Sequence, residues 1–225
     1  MHQNATRRRS SRLCHTEAVY YEHVFGDLRP FSGCHASTLL RRADGGLLVA
    51  WFGGTREGHR DTAIWAAQRA AGGAATGPGV PPPGSDWSQP RHIAKTADEA
   101  HWNPVLFALS PLEFVLHFKV GARIRDWLTW VQRSFDGGAT WQPAEPLVPG
   151  DRAGRGAVKN KQIQLSSGEW LAGASIESRR RWDAFSDRSP NGIDGWQASS
   201  PMPIERNCLR GKGVIQPALW QSPND

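Results

Sequence analysis

Three times along the chain the same succession of hydrophobic and polar runs appears. A strand-like stretch comes first: "HASTLLRR" from His35, "NPVLFAL" from Asn103 and "NKQIQLS" from Asn160. A turn and a very apolar second stretch follow: "GGLLVAWFGG", "LEFVLHFKVG" and "GEWLAGASIE". Next comes a charged loop ("TREGHRD", "ARIRD", "SRRRWD") and then a third strand ("TAIWAAQR", "WLTWVQR", "AFSDR"). A turn, a tryptophan and a short extended piece close each unit, in "DWSQP", "TWQPAEP" and "GWQASSP". Trp87, Trp141 and Trp196 thus stand 54 and 55 residues apart, close to the ~50 residues of known blade repeats. Strand, strand, charged loop, strand, turn, strand is the plan of one propeller blade. The pattern therefore predicts an all-β chain, a β-propeller of six-bladed type of which three to four blades are present. Blade one is expected over 31–95, blade two over 100–150, blade three over 156–205, and the start of blade four, "GKGVIQPALW", over 211–225. Three blades and one strand leave the ring open, with its edges unpaired.

Composition agrees with this reading. The 225 residues include 24 Gly and 16 Pro spread along the whole length, and both interrupt helix interiors. Eleven tryptophans are more than an average share, several just after glycine-rich turns. The stretch from Ala71 to Asp86, rich in Gly and Pro, stands where blade one has its turn and reads as a surface loop. The formal charge of +6 changes the picture less than its size suggests. Much of it lies in Arg7-Arg8-Arg9 and Arg179-Arg180-Arg181, with no nucleic-acid-binding motif beside them, so no nucleic-acid partner is expected. Residues 1–18 read as a basic, disordered tail ahead of the propeller of 19–225. Cys14, Cys34 and Cys208 make neither a disulfide framework nor a zinc site, and the histidines lack ligand spacing, so neither metal nor cofactor is expected. No apolar core follows the N-terminal charges and no stretch approaches ~18 apolar residues. A cytoplasmic protein without a membrane partner is expected, of undetermined oligomeric state.

"SFDGGATW", Ser134 to Trp141, fits S-x-D-x-G-x-T-W, the Asp-box, at Ser134, Asp136, Gly138, Thr140 and Trp141. "SPNGIDGW", Ser189 to Trp196, is a worn copy. From about Phe31 to Trp220 the chain resembles the BNR/Asp-box, sialidase-like (neuraminidase-like) family; "AWFGGTREGHRDTAIW", "HWNPVLF", "GAVKNKQIQLSSGEWLAGASIE" and "GKGVIQPALW" carry the likeness. The resemblance implies that the box is a structural turn on the face away from the active site. By blade geometry the starts of first strands and the loops between second and third strands share the opposite face. That face gathers His35, Asn103, Lys161, then Arg56, Glu57 and Asp61, then Lys119, then Glu177 and Asp183, around one mouth.

The resemblance further implies a glycoside hydrolase of exo-sialidase type acting on an anionic terminal sugar. The family's acid/base aspartate matches Asp61, with Glu57 as the fallback and His35 as a possible acid/base. Arg56, Asn103, Lys119, Lys161, Glu177 and Asp183 are the substrate-binding candidates, because cations and amides hold anionic sugars. His35 stands where the family has its first carboxylate-binding arginine, and the only tyrosines, Tyr20 and Tyr21, precede blade one. The family's tyrosine nucleophile and its glutamate partner come from later blades. Ala157, Gln162 and Gly173 stand where prolines are expected. The alternatives are a non-catalytic carbohydrate-binding propeller and an inactive truncated fragment.

Overall fold

Alternation along each apolar run places successive side chains on opposite faces of a sheet, and the chain uses both faces. The computed structural model describes residues 22–71, 87–151 and 154–223. The basic tail of 1–18 and most of the Gly/Pro-rich loop, 72–86, lie outside the described residues. In the first sheet β1 (Gly33–Arg41), β2 (Leu47–Gly54), β3 (Ala63–Arg69) and β4 (Arg91–Ala94) pair antiparallel in chain order. The second holds β5 (His101–Ala108), β6 (Phe114–Val120), β7 (Leu128–Ser134) and β8 (Glu145–Pro146). The third holds β9 (Ile163–Gln164), β10 (Trp170–Glu177), β11 (Trp182–Ser189) and β12 (Gln197–Ala198). These are three consecutive propeller blades.

The blades stack through their faces. Leu48, Ala50 and Phe52 of β2, with Ile64 and Ala66 of β3, pack against Leu106, Leu116 and Phe118 of blade two. The other face of β6 and β7, through Val115 and Val131, meets Trp170, Ala172 and Trp196 of blade three. On the far side of blade one, Val49, Trp51 and Trp87 are covered by Phe31, Val24 and Phe25. First strands meet where Thr38 Oγ1 accepts from the Leu106 amide at 3.2 Å and from Lys161 Nζ at 3.3 Å, while the Leu106 carbonyl also accepts from Lys161.

Two expectations change. Blade three's first strand shrinks to Ile163–Gln164, and residues 211–223 form no strand. They nevertheless lie along blade three: the Trp182 amide donates to the Lys212 carbonyl at 3.0 Å, and Asn160 Nδ2 to the Gln216 carbonyl at 2.8 Å. The register slips between His35 and Thr38 and again between Trp102 and Val105. At these bulges Ala36 (φ 56°) and Asn103 (φ 42°) take the left-handed conformation, as does Gln216 (φ 54°), which like Asn103 precedes a proline. Non-glycine residues rarely adopt it, so the shared kink marks β1, β5 and the segment around Gln216 as copies of one element.

The Asp-box residues form the turn between β7 and β8. Asp136 accepts from the Thr140 amide (2.8 Å), from its hydroxyl (2.6 Å) and from Ser134 Oγ (2.8 Å). These bonds hold its carboxyl well below the usual range, at about 2. Gly138 has φ 84°, and a Cβ there would lie 2.8 Å from Leu48 Cδ2. Its carbonyl accepts from Gln68 Nε2 at 2.7 Å and from Arg91. The turn thereby clamps blade two to blade one. In the worn copy Asn191 Oδ1 accepts the Ile193 and Asp194 amides at 2.8 and 3.0 Å.

Candidate active site

The pairing registers identify equivalent positions in the three blades. Phe114 opposes Ser134 of the Asp-box, and Trp170 opposes Ser189 of its copy. In blade one, His35 opposes Phe52 at the bulge, as Trp102 opposes Lys119 in blade two. Carried along the strands, these correspondences align Gly54, Gly121 and Glu177 at the end of each second strand. Blades one and two have a glycine there; blade three has a carboxylate. Trp182 opposes Glu177 and is the counterpart of Trp127.

Glu177 lies in the wall of an open cleft of about 400 Å³ on the face opposite the Asp-box turn. Arg123 and Arg125 of the 121–127 loop form one side of it. Arg179, Trp182 and Lys212 form the other, and Trp102 adds an indole edge. Glu177 has no ion pair or hydrogen bond to another described side chain, and partial burial raises its pKa. Beneath it, between blades two and three, is a recess of about 30 Å³ walled by Lys119, Trp127, Ser175 and Glu177. Ser175 Oγ is buried there without a partner, and a recess that size has room for a water.

The other predicted residues fall into distinct settings. Asp61 accepts from the Thr55 amide at 3.1 Å and from its hydroxyl at 2.5 Å, with His59 Nδ1 at 2.8 Å. The Thr55 hydroxyl chiefly, and His59 next, hold its pKa at about 2. At neutral pH Asp61 is an anion, with no proton to give. It ties the blade-one loop as its counterpart Asp126 does in blade two, where Arg123 Nε donates to Asp126 at 2.6 Å. That loop still reaches the mouth: a Cβ on Gly58 would lie 2.9 Å from the ring of Trp102. Arg56 and Glu57 are exposed on it and do not line the cleft.

His35 stacks on Phe52 at 5.6 Å, and it lines a groove on the outer side of blade one, away from the cleft. Asn103 is buried at the bulge. Lys119 was placed in a mouth loop by the sequence; it sits instead inside β6 and is fully buried. It takes the place of Phe52, and its ammonium donates to Thr129 Oγ1 at 2.6 Å and to the Arg155 carbonyl at 2.8 Å. Burial pushes its pKa down to about 7. Lys161 is at the meeting of the first strands, pushed down to about 8 by burial. Asp183 is engaged by Arg181 Nε at 2.6 Å and by Arg206. Of the nine catalytic and binding candidates, only Glu177 lines the cleft itself; Lys119 lines the recess below.

Several residues escaped the sequence reading. Trp102, Trp182 and Lys212 line the cleft, and Lys212 Nζ lies 5.4 Å from the Trp182 ring centre. Arg155 forms a bidentate pair with buried Asp187 at 2.7 Å on both oxygens, with Asp151 at 2.8 Å; Asp187 first, and Asp151 after it, raise the guanidinium pKa further. Its carbonyl also receives Lys119, so one residue fixes the floor under the recess. The tryptophan spacing could have flagged Trp182, because "RDW" and "RRW" recur at one place in the repeat. Nothing in the spacing distinguishes Arg155. No helix among the described residues is long and apolar enough to cross a membrane, and no group of metal-ligating side chains occurs among them.

Solved structures with the same fold span a range of proteins. A protein of unknown function from Dyadobacter fermentans superposes with a TM-score of 0.60 at 14% identity, covering 84% of this chain and 58% of that one. Zg3597, a family 117 glycoside hydrolase from Zobellia galactanivorans, gives 0.53 at 9%, covering 76% and 56%. Trypanosoma rangeli sialidase in complex with the inhibitor DANA gives 0.54 at 11%, covering 77% and 32%. The chain thus spans less than two thirds of each of these structures, and at such identities the likeness is one of fold. No curated protein sequence matches the chain. The model of the BNR repeat-like domain matches residues 45–225, four fifths of the length and every strand from β2 onward, and the chain belongs to that family.

Proposed function

We propose that the protein is a sialidase-like glycoside hydrolase that acts on an anionic terminal sugar in the cleft between blades two and three. The observation that carries this is Glu177, an unpaired carboxyl of raised pKa among two indole rings and several cations. Glycoside hydrolysis needs an acid to protonate the leaving oxygen and an anion to stabilise an oxocarbenium-like state. Glu177, raised by burial, fits the acid. Asp61, held at about 2 by Thr55 and His59 and outside the lining of the cleft, has no proton to give there, so the proton-donor role proposed from the sequence moves to Glu177.

Trp182 and the edge of Trp102 offer apolar faces to a sugar ring, and the guanidinium of Arg125 or Arg179 matches a carboxylate. The glycoside hydrolases among the structural neighbours support this reading at the level of the fold. The only tyrosines precede the described residues, so a sialidase-type tyrosine nucleophile would have to come from outside 22–223. The test is turnover of a fluorogenic sialoside and a panel of uronic-acid glycosides by the wild type and Glu177→Gln. Hydrolysis of an acidic glycoside that Glu177→Gln abolishes supports the assignment. Sugar binding with no turnover would instead indicate a carbohydrate-binding propeller.

A further inference from the structure

The cleft carries more positive charge than one terminal carboxylate can use. Arg123 and Arg125 share a single acid, Asp126, at 2.6 and 3.6 Å. Arg181 and Arg206 share a single acid, Asp183. Arg179 and Arg180 are exposed, with no ion pair among the described residues, and Lys212 meets only the ring of Trp182 and no carboxylate. Four of these cations, Arg123, Arg125, Arg179 and Lys212, line the cleft, against one lining carboxyl, Glu177, whose neutral form burial favours. Like charges crowded on one rim repel, and focusing them over a concave surface raises the local concentration of anions. The space is also generous: about 400 Å³ falls within the ~300–1,000 Å³ of pockets that hold drug-sized ligands.

We infer that this cleft binds a polyanionic glycan, with at least two consecutive charged sugars lying from the Arg123–Arg125 loop to the Arg179–Lys212 side across the face of Trp182. The inference rests on the glycosidase reading of the same cleft and adds the charge of the neighbouring sugars. Carboxylate and sulfate share the chemistry that the guanidinium fork recognises. A single-stranded nucleic acid would also meet cations and an indole, but the cleft has one free platform, Trp182, and no succession of exposed rings for stacking bases.

The experiment is a titration of tryptophan fluorescence of the full chain, at two salt concentrations. The probes are galacturonate, trigalacturonate, a sulfated trisaccharide, neutral maltotriose and a short oligo-dT. Trigalacturonate or the sulfated trisaccharide, whichever source the cleft prefers, is expected to bind at least tenfold tighter than galacturonate. That affinity should weaken several-fold on raising the salt from 50 to 200 mM, as screening of several contacts requires. Arg179→Ala and Arg125→Ala should each lower it several-fold, and Arg179→Lys should retain most of it. Equal affinity for galacturonate and trigalacturonate would overturn the inference and leave the hydrolase reading standing. Tighter binding of oligo-dT would overturn it in favour of a nucleic acid, and no binding of any sugar would overturn both.

Discussion

Glu177 occupies a position where the other blades have glycine, and its chemistry follows from that substitution. In blade one a Cβ at Gly54 would lie 2.6 Å from Asp61 Oδ1, so no side chain fits there. In blade three the strand end is open, and a carboxyl fits over the recess. Glu177→Gln is expected to lower kcat by about 10²–10⁴-fold, the usual share of general acid catalysis. Because burial raises the Glu177 pKa, kcat/KM should hold through the ordinary carboxylate range and fall only as pH rises above it. A pH profile falling already at pH 4 would sink the assignment. A second residue-scale prediction concerns Gln162, whose amide oxygen and nitrogen are both buried without partners. A buried unsatisfied polar group costs about 1–3 kcal/mol. Gln162→Leu should therefore raise the melting temperature, read by calorimetry.

At the scale of elements, the repeat was legible because its period is set by strand and turn lengths that hydrophobic alternation records directly. Trp87, Trp141 and Trp196 close the three units in the structure as they do in the sequence, and the Asp-box turn faces away from the cleft. What stayed illegible depends on neighbours in space. Lys119 reads as a loop cation until its partner carbonyl from Arg155, 36 residues on, is seen to bury it. Asp61 and Glu177 look alike in sequence; only the Thr55 hydroxyl on one and the recess under the other separate them.

The blade interfaces carry two predictions. Gly138→Ala forces a side chain at φ 84° against Leu48, and should cost about 1–3 kcal/mol, visible as a lower urea midpoint. His117 is fully buried between blades two and three, against Phe107 at 5.3 Å and Trp196 at 5.5 Å. Burial depresses its pKa from 6.5 to about 3. The unfolded chain binds its proton at the higher pH, so the stability it confers is complete above about 6.5 and is lost as pH falls toward 3. His117→Phe should flatten that acid limb; an unchanged limb would assign the loss to other groups, such as His101, which burial lowers to about 4.

For the whole molecule, stability is shared unequally because the blades contact only their neighbours. Blade two is covered on both faces by sheets, through Leu116 and Phe118 on one side and Val115 and Val131 on the other. Blade one has a sheet on one face and the segment of Val24, Phe25 and Phe31 on the other. Blade three has residues 211–223 there instead of a strand. In such nearest-neighbour arrays, local opening begins at units with fewer partners. Amide exchange should therefore be slowest in β6, every residue of which is buried, and faster in β2 and β10. Leu116→Ala, at the centre of the first interface, should cost about 2–5 kcal/mol. Leu47→Ala, the same chemistry on the partly covered outer face of blade one, should cost clearly less. Equal costs, or equal protection of β2 and β6, would mean that the outer face of blade one is covered in solution by a further blade or a second molecule.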